Sequence, residues 1–298
     1  MRKAYRFLAA ALSLVLCTGM QSCHNEKISS GYPILFRCAD VTRAEATIKD
    51  LQDNGFDVNA FFTANGSKFD FTKSLSYDAD SRIWGYNDIE YWLPGATYYF
   101  KALYPTNAGT IDNSTSVQSL TISNFDVTSQ TDLLVAETEA IVVDASIGSP
   151  TGGSVVNLQF KHLLACVEIK IKSSINVTIN KITLNDIENF CKYSNGWQSN
   201  GNRTDLEITS DVELTPGADA QSVTGSILVV PIMTGYETIT IEASNKTYSN
   251  ISLPENTSWK NGRKYTYVAE IKQNDIIFNE PSVKVWDSES ATGSVIIQ

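Results

Sequence analysis

The sequence predicts an all-β protein built of β-sandwiches, and three observations carry that expectation. Short segments rich in β-branched and aromatic residues recur along the chain, among them DVNAFFTA, TYYFKALYP, LTISNFDV, GSILVVPI, ETITIEAS and RKYTYVAEIK. Asn, Asp, Gly, Ser and Pro punctuate them. Few segments support a helix; the best, RAEATIKDLQDNG at 43–55, is a turn or two long, with Ile48 and Leu51 on one side and Gly55 as C-cap. Many short strands separated by turn residues pack as antiparallel sandwiches rather than as a parallel α/β sheet.

The first element is an export signal. MRKAYRFLAAALSLVLCTGMQSC joins a basic start (Arg2, Lys3, Arg6) to an apolar run from Phe7 to Cys17, and that run is shorter than the roughly 20 residues of a membrane-spanning helix. Cys23, after Ser22, resembles the cysteine of a bacterial lipoprotein box, which is acylated and becomes residue one of the mature chain; Met20 and Gln21 depart from the usual residues there. Residues 1–23 are assigned as lipoprotein signal peptide with Cys23 as the lipidation site, and the polar stretch 24–30 as a tether. The 298 residues leave room for two domains, and 33 acidic against 23 basic side chains, a net charge of −10, repel nucleic acid.

The first strand lies in YPILFRCADVTRAEATI, residues 32–48. Its alternation places Ile34, Phe36 and Cys38 on one face, and it then runs into Arg43 and Ala44 in a stretch without apolar periodicity. YDADSR carries Asp78 and Asp80 but lacks the Gly and distal Glu of a calcium loop, so it reads as a hairpin turn. Trp84, Tyr86, Tyr91, Trp92, Tyr98 and Tyr99 form a dense aromatic group. Two readings fit it: a sugar-stacking platform on Trp84 and Trp92, or core packing, the alternation of TYYFKALYP sending Tyr98, Phe100 and Ala102 to one face.

The Pro/Gly/Ser concentration DASIGSPTGGS at 144–154 marks a junction between domains 31–150 and 151–298. Beyond it, VVNLQFKHLLACVEIKI places apolar residues at even positions through Phe160 and at odd positions from Leu163. A strand cannot change faces in register, so a bulge or sharp bend is expected near His162. The same His162 has no acid and nucleophile pattern beside it, and no phosphate-binding glycine loop, nucleophile elbow or zinc motif occurs. Cys38, Cys166 and Cys191, the cysteines beyond the signal, read as small buried hydrophobes. No catalytic residue, metal ligand or cofactor is assigned, and the protein is expected not to be an enzyme.

Taken in order, the loose lipobox, the strand ending in TRA (Thr42, Arg43, Ala44), FDVNAFF, YWLPGATYYFKALYP, DLLVA, VNLQFKHLLACVEIKI, GSILVVP, WKNGRKYTYVAEI and the closing VKVW resemble the fimbrillin-like (type V pilin, Mfa-like) lipoproteins of Bacteroidales. The resemblance implies two tandem transthyretin-like Greek-key β-sandwich domains and a non-enzymatic role as shaft, anchor or tip subunit of surface fimbriae that support adhesion. It implies a lipid-anchored precursor in the outer membrane, cut by a trypsin-like protease after an Arg just past the first strand, here the Arg43–Ala44 bond. The partners it implies are other pilin subunits in a head-to-tail polymer and a host or bacterial surface receptor.

Physical reasons support such a design. Deleting a strand that carries Ile34, Phe36 and Cys38 opens an apolar groove flanked by unpaired backbone groups, which an incoming strand restores by β-augmentation. The natural donor is SVKVWDSESATGSVIIQ, with Val283 and Val285 on one strand face and Val295 and Ile297 alternating beyond a Ser/Gly break. The same pattern also fits strands that complete their own domain. The alternative function is a surface-anchored glycan-binding lipoprotein that keeps its first strand and uses exposed Trp84 and Trp92.

Overall fold

A computed structural model describes residues 31–38, 47–113, 118–222, 227–254, 258–273 and 275–286. The first half contains β1 (Leu35–Cys38), α1 (Thr47–Asn54), β2 (Phe56–Ala64), β3 (Ser67–Asp78), β4 (Ile83–Gly85), β5 (Thr97–Tyr104), β6 (Thr110–Asp112), β7 (Ser119–Phe125), β8 (Leu134–Glu137) and β9 (Ile141–Val142). There follow β10 (Val155–Leu158), β11 (Lys161–His162), β12 (Ala165–Ser173), β13 (Val177–Asn189), β14 (Cys191–Ser194), β15 (Trp197–Gln198) and β16 (Asn202–Leu214). The last are β17 (Gln221–Ser222), β18 (Ile227–Val229), β19 (Thr238–Ala243), β20 (Thr247–Ser252), β21 (Arg263–Ile271), β22 (Ile276–Phe278) and β23 (Ser282–Val285).

A nine-stranded sheet runs β10-β1-β4-β3-β2-β5-β8-β11, with β9 also on β5. A six-stranded sheet is centred on β12 and β21, and two four-stranded sheets run β16-β13-β19-β20 and β15-β14-β7-β6. The fold class is all-β, two sandwiches in tandem, as expected. From Tyr32 onward the chain forms one compact unit holding two hydrophobic cores. The first core is aromatic, with Phe36, Phe56, Trp84, Trp92, Tyr98 and Phe100, whereas the second is mostly Ile, Val and Leu, many of them from β12, β13 and β19, with Tyr265 and Tyr267 added by β21.

Local signals explain the turns. Gly55 ends α1 with φ +72°, its N–H donating to Leu51 O at 2.8 Å, and a Cβ there would stand 2.1 Å from Leu75 O. Only glycine fits both the left-handed backbone and the close approach. Asp78 closes the β3–β4 hairpin by accepting from Ser81 Oγ at 2.6 Å and Asp80 N–H at 3.0 Å, and these donors hold its carboxyl below the usual range. The turn reading of YDADSR therefore holds.

The segment 144–154 turns the chain without moving it to a new sheet. Val155–Leu158 pairs with β1, and Lys161–His162 pairs with β8, so both short strands after the turn belong to the first sheet. The change of core falls between Phe160, in the first, and Leu163, in the second. That is the bend the phase change near His162 requires. Exchange also runs the other way: β7 pairs with β14, and Leu120, Ile122 and Phe125 pack in the second core.

Candidate functional site

The geometry centres on the first strand. Ile34 and Phe36 alternate with the exposed Arg37 and are fully buried in the aromatic core; Cys38 packs against its margin. The edge of the Phe36 ring meets Phe100 at a centroid distance of 5.4 Å, and Tyr86 stands at 5.9 Å. Burial pushes the Cys38 thiol up to about 12.

The backbone of this segment is paired along both sides. On one side β1 runs parallel to β10, with Phe36 opposite Val156 and Cys38 opposite Leu158; on the other, Phe36 stands opposite Trp84 of antiparallel β4. Upstream, Ile34 N–H donates to Glu90 O at 2.9 Å, Trp92 N–H donates to Tyr32 O at 3.0 Å, and Tyr86 Oη donates to Ile34 O at 2.9 Å. The strand thus occupies a slot inside the sheet, and its removal would leave two unpaired edges and the space of two buried side chains.

The slot has a wall that reading the sequence missed. β10 is parallel to β1 across more than a hundred residues of chain, and its assignment to the second domain concealed the pairing. The even-position row Val156, Leu158, Phe160 was the available signal, because all three are buried in the core that holds Ile34 and Phe36.

Trp84 and Trp92 are corrected from platform to core. They are 3% and 2% exposed. Trp84 packs on Phe56 and Tyr77 at 5.8 and 4.6 Å, while Trp92 meets the Tyr98 ring edge-on at 4.8 Å and its Nε1–H donates to Ser154 O at 3.0 Å. Neither ring offers a face to a sugar, because the pleat that buries Phe36 and Tyr98 buries them too.

At the other end of the chain, Val283 and Val285 lie on β23, antiparallel to β21 of their own chain, opposite Tyr265 and Arg263. Both valines are exposed. Trp286 anchors the end of the strand: its N–H donates to Gly262 O at 2.8 Å, and its ring stacks on His162 at 3.7 Å. His162 Nδ1 lies 2.7 Å from Asp132 Oδ2, so this histidine serves a packing junction between β11 and the C-terminal strand. Cys23, Arg43, Ala44, Val295 and Ile297 lie outside the described residues.

Cys38 and Cys191 carry free thiols, and Cys166 and Cys191 are buried. Among the described residues no cluster of His, Cys, Asp or Glu is arranged to hold a metal ion, and no helix is long and apolar enough to cross a membrane.

Comparison with known proteins adds the family. The profile of the fimbrillin-like family matches residues 42–286, most of the chain. The chain belongs to the fimbrillin-like family. Among solved structures, a fimbrial protein from Bacteroides vulgatus superposes with a TM-score of 0.65 at 17% identity, covering 85% of this chain and 99% of that one. A Bacteroides ovatus protein assigned to cell adhesion gives a TM-score of 0.51 at 12% identity, covering 86% and 97%. At such identities these likenesses establish the fold of this fimbrillin-like chain. No curated protein matches the sequence.

Proposed function

We propose that this fimbrillin-like protein is a structural subunit of a bacterial surface fimbrium. It is first held at the outer membrane through acylated Cys23, is then cut by a trypsin-like protease after Arg43, and polymerises when a strand of another copy fills the place of β1. The observation that carries this reading is the position of β1, an interior strand paired on both sides, with Phe36 and the preceding Ile34 fully buried. A subunit emptied of it has every reason to capture a replacement, since burial returns about 25 cal/mol per Å² of apolar surface and the ladder is restored as well. A head-to-tail contact of this kind grows a filament rather than a closed ring.

The donor is the C-terminal segment, with Val283, Val285, Val295 and Ile297 as its apolar row. Because β23 pairs at one side of β21 in its own chain, its two valines can donate only after leaving that partner. Residues 295 and 297 continue the alternation past the Ser/Gly break. Membership of the fimbrillin-like family supports the role of subunit and the surface fimbrium as its location. Adhesion to a host or bacterial surface receptor would follow from display on the fibre. The glycan-platform reading has lost its aromatics to the core and is not carried further.

Sequencing the N-terminus of assembled surface material tests the proposal. A mature chain beginning at Ala44 is the expected result, and Arg43→Ala should leave the protein monomeric and lipid-anchored. Fibres that retain acylated Cys23 would overturn it.

A further inference from the structure

The segment flanking β1 carries large apolar side chains that the sandwich does not use. Ile89, Tyr91 and Leu93 are 43–50% exposed at alternate positions, while Trp92 between them is buried. Pro33 bridges to Tyr91 across the antiparallel contact and shares its face, while Tyr32, half exposed at the end of the segment, stands opposite Trp92 on the other face. The turn at 144–148 rests against Pro94, since a Cβ on Gly148 would stand 3.4 Å from Pro94 Cγ, and it adds exposed Ile147 to the same region. Singly scattered apolar residues need no explanation, but a cluster gathered from three separate stretches of chain marks a contact surface.

We propose that this row is a membrane-contact face of the lipid-anchored precursor. The inference rests on the reading that Cys23 is acylated. The nine residues from Cys23 to Tyr32 (32 − 23) reach about 30 Å at full extension, so the acyl chains would hold this corner of the protein at the bilayer. The side chains suit an interface: Tyr91 pairs an apolar ring with a wet hydroxyl, and Ile89 and Leu93 supply aliphatic surface on either side of it. The row is also complete only before maturation. Cutting after Arg43 releases Pro33 together with Cys23, so one cleavage removes the acyl anchor and one member of the contact face.

The test places the photocrosslinking residue p-benzoylphenylalanine at Tyr91 or at Tyr236, which is 64% exposed in the second half of the chain. The acylated full-length precursor is incorporated into vesicles of equal parts phosphatidylethanolamine and phosphatidylglycerol, irradiated, and its lipid adducts are read by mass spectrometry. About tenfold more lipid adduct at position 91 than at 236 is expected, and Ile89→Ser with Leu93→Ser should lower the yield at 91 severalfold without changing the fold. Equal yields at both positions on protein that floats with the vesicles would overturn the contact face while leaving the anchor intact. Adducts joining position 91 to a second copy would assign the row to a subunit interface and overturn it as well. A chain without acyl groups on Cys23 would sink the anchor reading, and the contact face with it.

Discussion

β1 and β23 are four-residue strands at opposite ends of the described chain, and each sets two apolar side chains on one face, Phe36 and Cys38 on β1, Val283 and Val285 on β23. Their surroundings differ completely. β1 lies between β10 and β4 with Ile34 and Phe36 inside the aromatic core, whereas β23 lies along β21 with Val283 and Val285 facing solvent. Alternation says only that a strand has two faces; what it is worth depends on whether a core stands behind one of them. Losing β1 takes fully buried side chains out of a core, whereas β23 is held by its ladder to β21 and by Trp286 and buries neither of its valines. In the proposed strand exchange, that asymmetry would set a costly vacancy at one end of the chain against a donor that no core holds at the other.

The largest expected effect tests the costly side. Phe36→Ala in the lipid-free precursor should lower stability by about 3–5 kcal/mol, read by urea denaturation, because the ring is fully enclosed against Phe100 and Tyr86. A loss under about 1 kcal/mol would mean that the core relaxes around the vacancy, and β1 would be no more demanding than β23.

A middle-sized effect follows from Cys38. Its thiol is pushed up to about 12 by burial, from an ordinary value of 9.0. The unfolded chain therefore ionises first as pH rises, and stability is lost between pH 9 and pH 12 and kept below that window. With the shift discounted for the partial exposure of this residue, wild type should lose about 1–2 kcal/mol more than Cys38→Val between pH 8 and pH 11. Alkylation sharpens the contrast: Cys38 should resist iodoacetamide at pH 9 in the precursor, while Val283→Cys on β23 reacts freely. Equal reactivity would show that the end of β1 opens as readily as β23.

Much of this contrast was legible in the sequence. The face of Ile34 and Phe36, the glycine stop of α1, the turn at Asp78 and the bend before Leu163 all follow from patterns spanning a few residues, because backbone sterics and the two-residue pleat act locally. What stayed hidden was pairing. Nothing in VVNL says that it will lie parallel to LFRC, since ladder hydrogen bonds come from backbone groups that every residue shares. The glycines and proline of 144–154 likewise marked where the chain turns and not which sheet it rejoins. Trp84 and Trp92 illustrate the same limit, for an aromatic cluster has one composition whether it faces a core or a ligand.

The smallest expected effect addresses the β23 side of the comparison and decides how far the donor extends. Val283→Ser combined with Val285→Ser should change monomer stability by no more than about 0.5 kcal/mol per site, because both side chains already meet water. Polymerisation of the matured chain is the second readout. If it fails while the monomer melts normally, these valines act in the neighbouring subunit, and β23 must leave β21 to reach it. If polymerisation proceeds unchanged, β23 stays at home, held by the Trp286 stack on His162, and Val295 and Ile297 carry the donation alone. Should the monomer itself lose several kcal/mol, β23 is as integral as β1, and the asymmetry between the two ends of the chain disappears.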